Sequence, residues 1–94
     1  MFGLIGKIRA RAGLAEELAE VLTSGTGAIP GCVEYLVARD VADPDVLWVT
    51  EVWEDRESHA ASLRLPSVQA AIARGRPLIA GFELHVETAP YARA

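Results

Sequence analysis

The stretch VLWVTEVW, residues 46–53, constrains this chain more than any other. Residues two apart in a strand share a face, so Leu47, Val49 and Trp53 stand on one side and Val46, Trp48 and Val52 on the other. Both sides are apolar. An antiparallel sheet with one wet face alternates cleanly between apolar and polar positions, and this strand does not. CVEYLVARD, at 32–40, fails the same test, with Val33, Tyr35 and Val37 opposing Cys32, Leu36 and Ala38. Whatever sheet contains these strands must be covered on both faces.

The rest of the chain supplies one of those covers. FGLIGKIR, at 2–9, alternates Phe2, Leu4 and Ile8 against Ile5, Lys7 and Arg9, the period of a strand. After Gly13 the spacing changes to Leu14, Leu18, Val21 and Leu22, with Glu16, Glu17 and Glu20 elsewhere around the wheel, which predicts an amphipathic helix that stops by Gly25 to Gly27. VADP separates the two apolar runs at 32–40 and 45–53 and suits a chain reversal, so they form a hairpin. Asp55 caps a short helix that begins at Arg56, and Pro66 opens a second helical piece at Ser67 with Val68, Ala71 and Ile72 on its apolar side. Gly75 and Pro77 end it. FELHVET, at 82–88, then sets Phe82, Leu84 and Val86 against Glu83, His85 and Glu87 as a last strand.

The order β-α-β-β-α-β, with right-handed crossovers, predicts an α+β, ferredoxin-like domain: a four-stranded antiparallel sheet with its helices on one face. With 94 residues there is one core and no linker, so a single domain over 1–94 is expected. The second sheet face needs a cover from outside the chain. A second copy packed sheet to sheet provides it, which predicts a homodimer.

Charge and composition narrow the partners. The net charge is −4 and no basic stripe interrupts it, which argues against nucleic acid. Every apolar run is soon broken by a charge, Gly or Pro, short of the roughly 20 residues that span a bilayer, so no membrane association is expected. Cys32 is alone and the first residues, MFGLIGKIRARAG, lack the order of a secretion signal, so a reducing cytoplasm is the expected location. His59, His85 and Cys32 are too scattered to suggest a metal site. Gly25 and Gly27 follow a helix rather than a strand, which is not a phosphate loop, and no serine sits in a nucleophile elbow. Neither a metal nor an ordinary cofactor is expected.

The chemistry-bearing residues concentrate in VTEVWEDRESH, at 49–59. Val49, Glu51 and Trp53 share one strand face. An acid on a face otherwise suited to burial must be neutralised, hydrogen-bonded or open to a cavity. Glu51 is thus either a brace for its neighbours or a proton acceptor, and Trp53 is either a pocket wall or a core anchor. His59, in the first turns of the expected helix, is either a bystander or a neutral imidazole available as a base. Tyr35 either lends its phenol to a pocket or stacks in the core. Trp48 points away from Trp53, toward the expected dimer face. His85 is expected toward partner or solvent. Arg74 and Arg76 either attract an anionic substrate or serve as partners of a helix C-terminal dipole, and the second is expected.

LIGKIRARAG, GAIPGCVEYLVARDVADPD, VLWVTEVWEDRESH and LPSVQAAI, from about residue 3 to residue 88, resemble the antibiotic biosynthesis monooxygenase family of dimeric α/β-barrel proteins. The most specific parts are PGC before the second strand, the Tyr three positions later, and E-x-W closing the third strand. The resemblance implies a homodimeric barrel and a pocket between sheet and helices, faced by Val49, Glu51 and Trp53. It implies insertion of oxygen from O2 into a small electron-rich aromatic of quinol, phenol or anthrone type, without metal, flavin or haem. On that reading His59 or Glu51 handles the proton, and Trp53, Val49 and Tyr35 hold the substrate. In the polyketide oxygenases of the family an Asn four before the Trp and a Tyr six after it act together with it. Here those positions are Val49 and His59, so His59 stands in for the tyrosine. Haem-degrading relatives keep a histidine on the second helical piece, a second Trp and an Asn in the first strand. This chain has Ile72, Ser62 and no Asn there, which speaks against haem degradation. A non-catalytic small-molecule binder or stress-related dimer, and an isomerase or lyase on the same barrel, are the alternatives.

Overall fold

A computed structural model describes residues 1–24 and 29–92. The elements are β1 (Phe2–Ala10), α1 (Ala15–Ser24), β2 (Cys32–Arg39), β3 (Val46–Trp53), α2 (Arg56–Ser62), α3 (Pro66–Gly75), a 3-10 turn (Arg76–Leu78) and β4 (Ile79–Thr88). The expected end of the first helix at Gly25 to Gly27 lies outside the described residues. The strands form one sheet in the order β2-β3-β1-β4, every neighbour antiparallel, which is the ferredoxin-like arrangement.

The second helical region is two helices, α2 and α3, and the sequence explains the break. The Asp55 carboxylate accepts a hydrogen bond from the Ser58 amide at 2.7 Å and starts α2. Bonding to Ser58 also holds that carboxyl below the usual range. Residues 63–65 wind down through tight i→i−3 bonds to Ala60, Ala61 and Ser62. Pro66, which has no amide hydrogen to offer, then sits at the first turn of α3, where none is needed.

The inner sheet face carries the core. Ile8, Ala10, Leu47 and Val49 pack with Ala15 and the fully buried Leu18 of α1, while Phe2, Leu4 and Trp53 form a second buried group beneath Ile29 and Cys32. Trp48 lies on the outer face, opposite Lys7 in the β1–β3 register. Its indole N–H donates to Asp40 Oδ2 at 2.8 Å, and the Lys7 ammonium stands 5.4 Å from its ring centre.

β4 departs from the expected simple alternation. It begins at Ile79, and its pairing with β1 shifts between Lys7 and Ile8, so that Leu84 faces Lys7 and Phe82 faces Ile8 while Glu83 is left over. An extra residue in one strand reverses the side on which every following side chain emerges. Phe82 therefore shares the inner face with His85 and Glu87 rather than with Leu84 and Val86, which join Ile5 and Trp48 outside. Glu83 reaches back to Arg9, with N–O 2.5 Å, and to Lys7 at 3.6 Å.

The turn before β2 is held against α2 by Gly31, whose φ is +80° and whose carbonyl accepts from the Glu54 amide at 2.8 Å. A side-chain carbon there would overlap the Ser58 side chain. Gly31→Ala combines a left-handed backbone with that overlap and is expected to cost about 2 kcal/mol, lowering Tm by roughly 10 °C in a domain of this size. Calorimetry of the variant beside wild type at equal concentration measures it.

Candidate active site

Between the sheet and the helices lies a cavity of about 600 Å³, within the ~300–1,000 Å³ common for small-molecule sites. Its floor is Ile8, Tyr35, Glu51 and Trp53 from three strands. α2 contributes His59 and Ser62, Leu63 follows at its end, and α3 with the turn after it contributes Val68, Ala71, Ile72 and Arg76. Ile79 through Phe82 of β4 complete the wall.

Most of the sequence candidates meet here. Glu51 and Trp53, two apart on one face of β3, are joined by a hydrogen bond from Trp53 Nε1 to Glu51 Oε1 at 3.0 Å. That bond fixes both the indole plane and the carboxylate. Trp53 is 2 % exposed, so it is at once core anchor and cavity floor. His59 sets its imidazole edge-on to Trp53, ring centres 5.3 Å apart, and tilted against Phe2 at 5.7 Å. Among the described residues no hydrogen bond ties its ring nitrogens. Asp55 and the α2 it starts are what aim this ring inward: the cap fixes the first turn, and His59 follows one turn on.

Tyr35 faces Glu51 directly across the β2–β3 ladder. Burial first, then the Glu51 carboxylate and Cys32, push its phenol up to about 12, so it stays a neutral hydroxyl at any physiological pH. The Cys32 thiol is raised by burial and by the same carboxylate. Since Tyr35 is a weaker acid folded than unfolded, the unfolded chain gives up its proton first. Stability contributed by the neutral phenol is therefore complete below about pH 10 and is lost as pH rises through 10 to 12. Urea titrations across that range are expected to show a steeper alkaline loss for wild type than for Tyr35→Phe.

Val49 is elsewhere: it is 5 % exposed in the main core with Ile8 and Leu47 and does not line the cavity. His85 is exposed and also outside it. Ser62, Phe82 and Arg76 also line the cavity and were not expected there. Ser62 is buried and donates to the His59 carbonyl at 2.6 Å, closing α2. Phe82 arrives through the β4 irregularity, and Arg76 through the turn that follows α3. Among the described residues, no group of three His, Cys, Asp or Glu side chains could hold a metal ion, and no helix is long and apolar enough to cross a membrane.

The sequence pattern described as antibiotic biosynthesis monooxygenase matches residues 1–74. Among solved structures, a protein of Chloroflexus aurantiacus that carries the same family name is 54 % identical and superposes with a TM-score of 0.97, covering 99 % of this chain and 95 % of that one. One from Deinococcus radiodurans with the same family name is 26 % identical with a TM-score of 0.82, over 100 % of this chain and 96 % of that one. A third, from Nitrosomonas europaea, keeps the fold at 14 % identity, with a TM-score of 0.84 over 98 % and 100 % of the two chains. No curated protein matches the chain. The match over 1–74 and the shared architecture together mean that this chain belongs to the antibiotic biosynthesis monooxygenase family.

Proposed function

We propose that this protein is a cofactor-independent monooxygenase that oxidises a small electron-rich aromatic of quinol, phenol or anthrone type with O2. The observation that supports this most is the meeting of His59, Glu51, Trp53 and Tyr35 in one largely apolar cavity. Family membership adds to it. Such a reaction needs a flat apolar slot, a base and shelter from bulk water.

In the proposed mechanism an activated ring lies along Trp53 and His59 takes its proton, because the Glu51 carboxylate is already engaged by the Trp53 indole. Glu51 and the neutral Tyr35 phenol hold a substrate oxygen. The resulting carbanion passes one electron to O2, and the carbon radical and superoxide combine as a peroxide, which takes the proton back from His59. Loss of water, breaking the O–O bond and the second C–H bond, leaves a carbonyl. For an anthrone-type carbon the sum is CH2 + O2 → C=O + H2O, all four electrons coming from the two C–H bonds. An oxygen electrode with dialysed protein and a panel of hydroquinones and anthrones tests this. Uptake matched one to one by product is expected; ligand-induced thermal stabilisation with no uptake across the panel would leave a binding protein instead, and turnover under strict anaerobiosis an isomerase or lyase.

The protein is further proposed to work as a homodimer packed through the outer sheet face. Leu36, Leu84 and Val86 are 54 %, 40 % and 38 % exposed there, beside Ile5, Trp48 and Val52, a larger apolar surface than a lone chain leaves wet. Light scattering at micromolar concentration is expected to give twice the chain mass, and Leu84→Glu with Val86→Glu to give monomer. A monomeric wild type would overturn the dimer.

A further inference from the structure

The cavity is elongated, and its two ends differ in charge. Glu51 lies opposite Leu4 on β1 and Phe82 opposite Ile8, so the ends stand four strand residues, roughly 13 Å, apart. One end holds Glu51, Trp53 and His59. The other is formed where the 3-10 turn meets β4, with Arg76 in the wall beside Ile79 and Phe82. The surface between them, Val68, Ala71 and Ile72, is apolar.

Among the described cations Arg39, Arg64 and Arg76 have no side-chain hydrogen bond or ion pair, and of these only Arg76 lines the cavity. Lys7 and Arg9 are paired with Glu83, Arg9 also with Asp43, and Arg56 with Glu87. Arg74 donates to Ser24 Oγ at 3.1 Å, and Arg11 to the Pro77 carbonyl at 3.0 Å. Among the described residues no carboxylate pairs with Arg76. A guanidinium offers a planar fork of donors that matches a carboxylate, and Arg76 presents that fork, exposed, at the edge of an apolar wall.

We propose that the cavity selects an aromatic substrate bearing a carboxylate on the side remote from the reacting carbon, and that Arg76 is the residue that binds it. Phe82, 69 % exposed at the rim of the cavity, flanks the ring. The proposal rests on reading this cavity as the substrate site and deepens that reading. It is tested by equilibrium binding, without turnover. The probes are 6-hydroxy-2-naphthoate and its uncharged counterpart 2-naphthol, followed by quenching of tryptophan fluorescence. Wild type is expected to bind the carboxylate probe about tenfold more tightly. Arg76→Gln is expected to erase that preference with 2-naphthol affinity unchanged, while Arg74→Gln keeps it. Equal affinities in wild type, a preference that survives Arg76→Gln, or binding of neither probe at millimolar concentration overturns the proposal. Because oxygen is not consumed, the two readings fail separately. A carboxylate preference without oxygen uptake by any phenol removes the monooxygenase and leaves Arg76 in place. Uptake with uncharged phenols and no preference does the reverse.

Discussion

His59→Ala is expected to lower the rate of oxygen uptake by about 10²- to 10⁴-fold, the usual contribution of a positioned general base. The loss belongs in kcat. The imidazole touches Trp53 and Phe2 by its ring faces and edges, so its removal also opens space in the cavity, and that alone would weaken binding and raise KM. The two effects separate in a full substrate titration: a base acts on the chemical step, whereas a wall acts on binding. Added imidazole, small enough to enter the space left behind, is expected to restore part of the rate in the alanine variant. His59→Tyr, which places at this position the side chain found in the family's polyketide oxygenases, is expected to retain more activity than alanine. Identical kcat for wild type and His59→Ala would remove the histidine from the mechanism, and Glu51 would then be the remaining group able to take the proton.

Trp53→Ala is expected to cost about 3–5 kcal/mol of stability, the range for truncating a buried aromatic. Two terms add. The side chain is 2 % exposed and packs with Phe2 and Leu4, so its loss leaves a void that the two β1 residues cannot fill. It also strips Glu51 of its indole donor, leaving a half-buried carboxylate short of a partner. Trp53→Phe keeps most of the apolar volume and isolates the second term, so a cost of about 1–3 kcal/mol is expected for it. Against a typical domain stability of about 5–15 kcal/mol the alanine variant is severely weakened, and the phenylalanine variant stays folded. Urea denaturation at one fixed protein concentration measures both, since association shifts the midpoint. A Trp53→Ala chain as stable as wild type would contradict the packing described above.

Much of this architecture is legible in the sequence because it follows from short-range periodicity. The alternation in FGLIGKIR and VLWVTEVW places Leu4, Ile8, Leu47 and Trp53 on the inner face without reference to any other segment. The Asp55 cap is likewise a local signal, since a carboxylate three residues before Ser58 needs only the helix itself to be satisfied. Glu51, Trp53 and His59 fall within nine residues, so a strand face and one helical turn suffice to bring them near each other.

What was not legible depends on partners. The β4 irregularity is set by how β1 and β4 register against each other, and nothing in FELHVET signals that Glu83 will drop out of the ladder. Periodicity for that reason groups Phe82 with Leu84 and Val86, which the ladder places on the opposite face. Arg76 reads as an ordinary helix-end cation until the 3-10 turn carries it to the cavity wall. Val49 shares a face with Glu51 and Trp53, yet α1 covers that part of the sheet with Leu18, and the cavity opens only beyond it. Face tells which side a residue takes; only packing tells whether that side is filled.

The leftover residue at Glu83 is a place where β4 can change length without changing phase. A relative that lacks this residue would run a regular ladder at this point, Phe82 still opposite Ile8 and Leu84 still opposite Lys7, with the same side chains facing the cavity and the outer sheet face. The loss would cost only the contacts that Glu83 makes with Lys7 and Arg9. Aligned sequences of relatives should be gapped at Glu83 rather than to either side of it, because a gap one position off would exchange a wall of the cavity for a patch of the exterior.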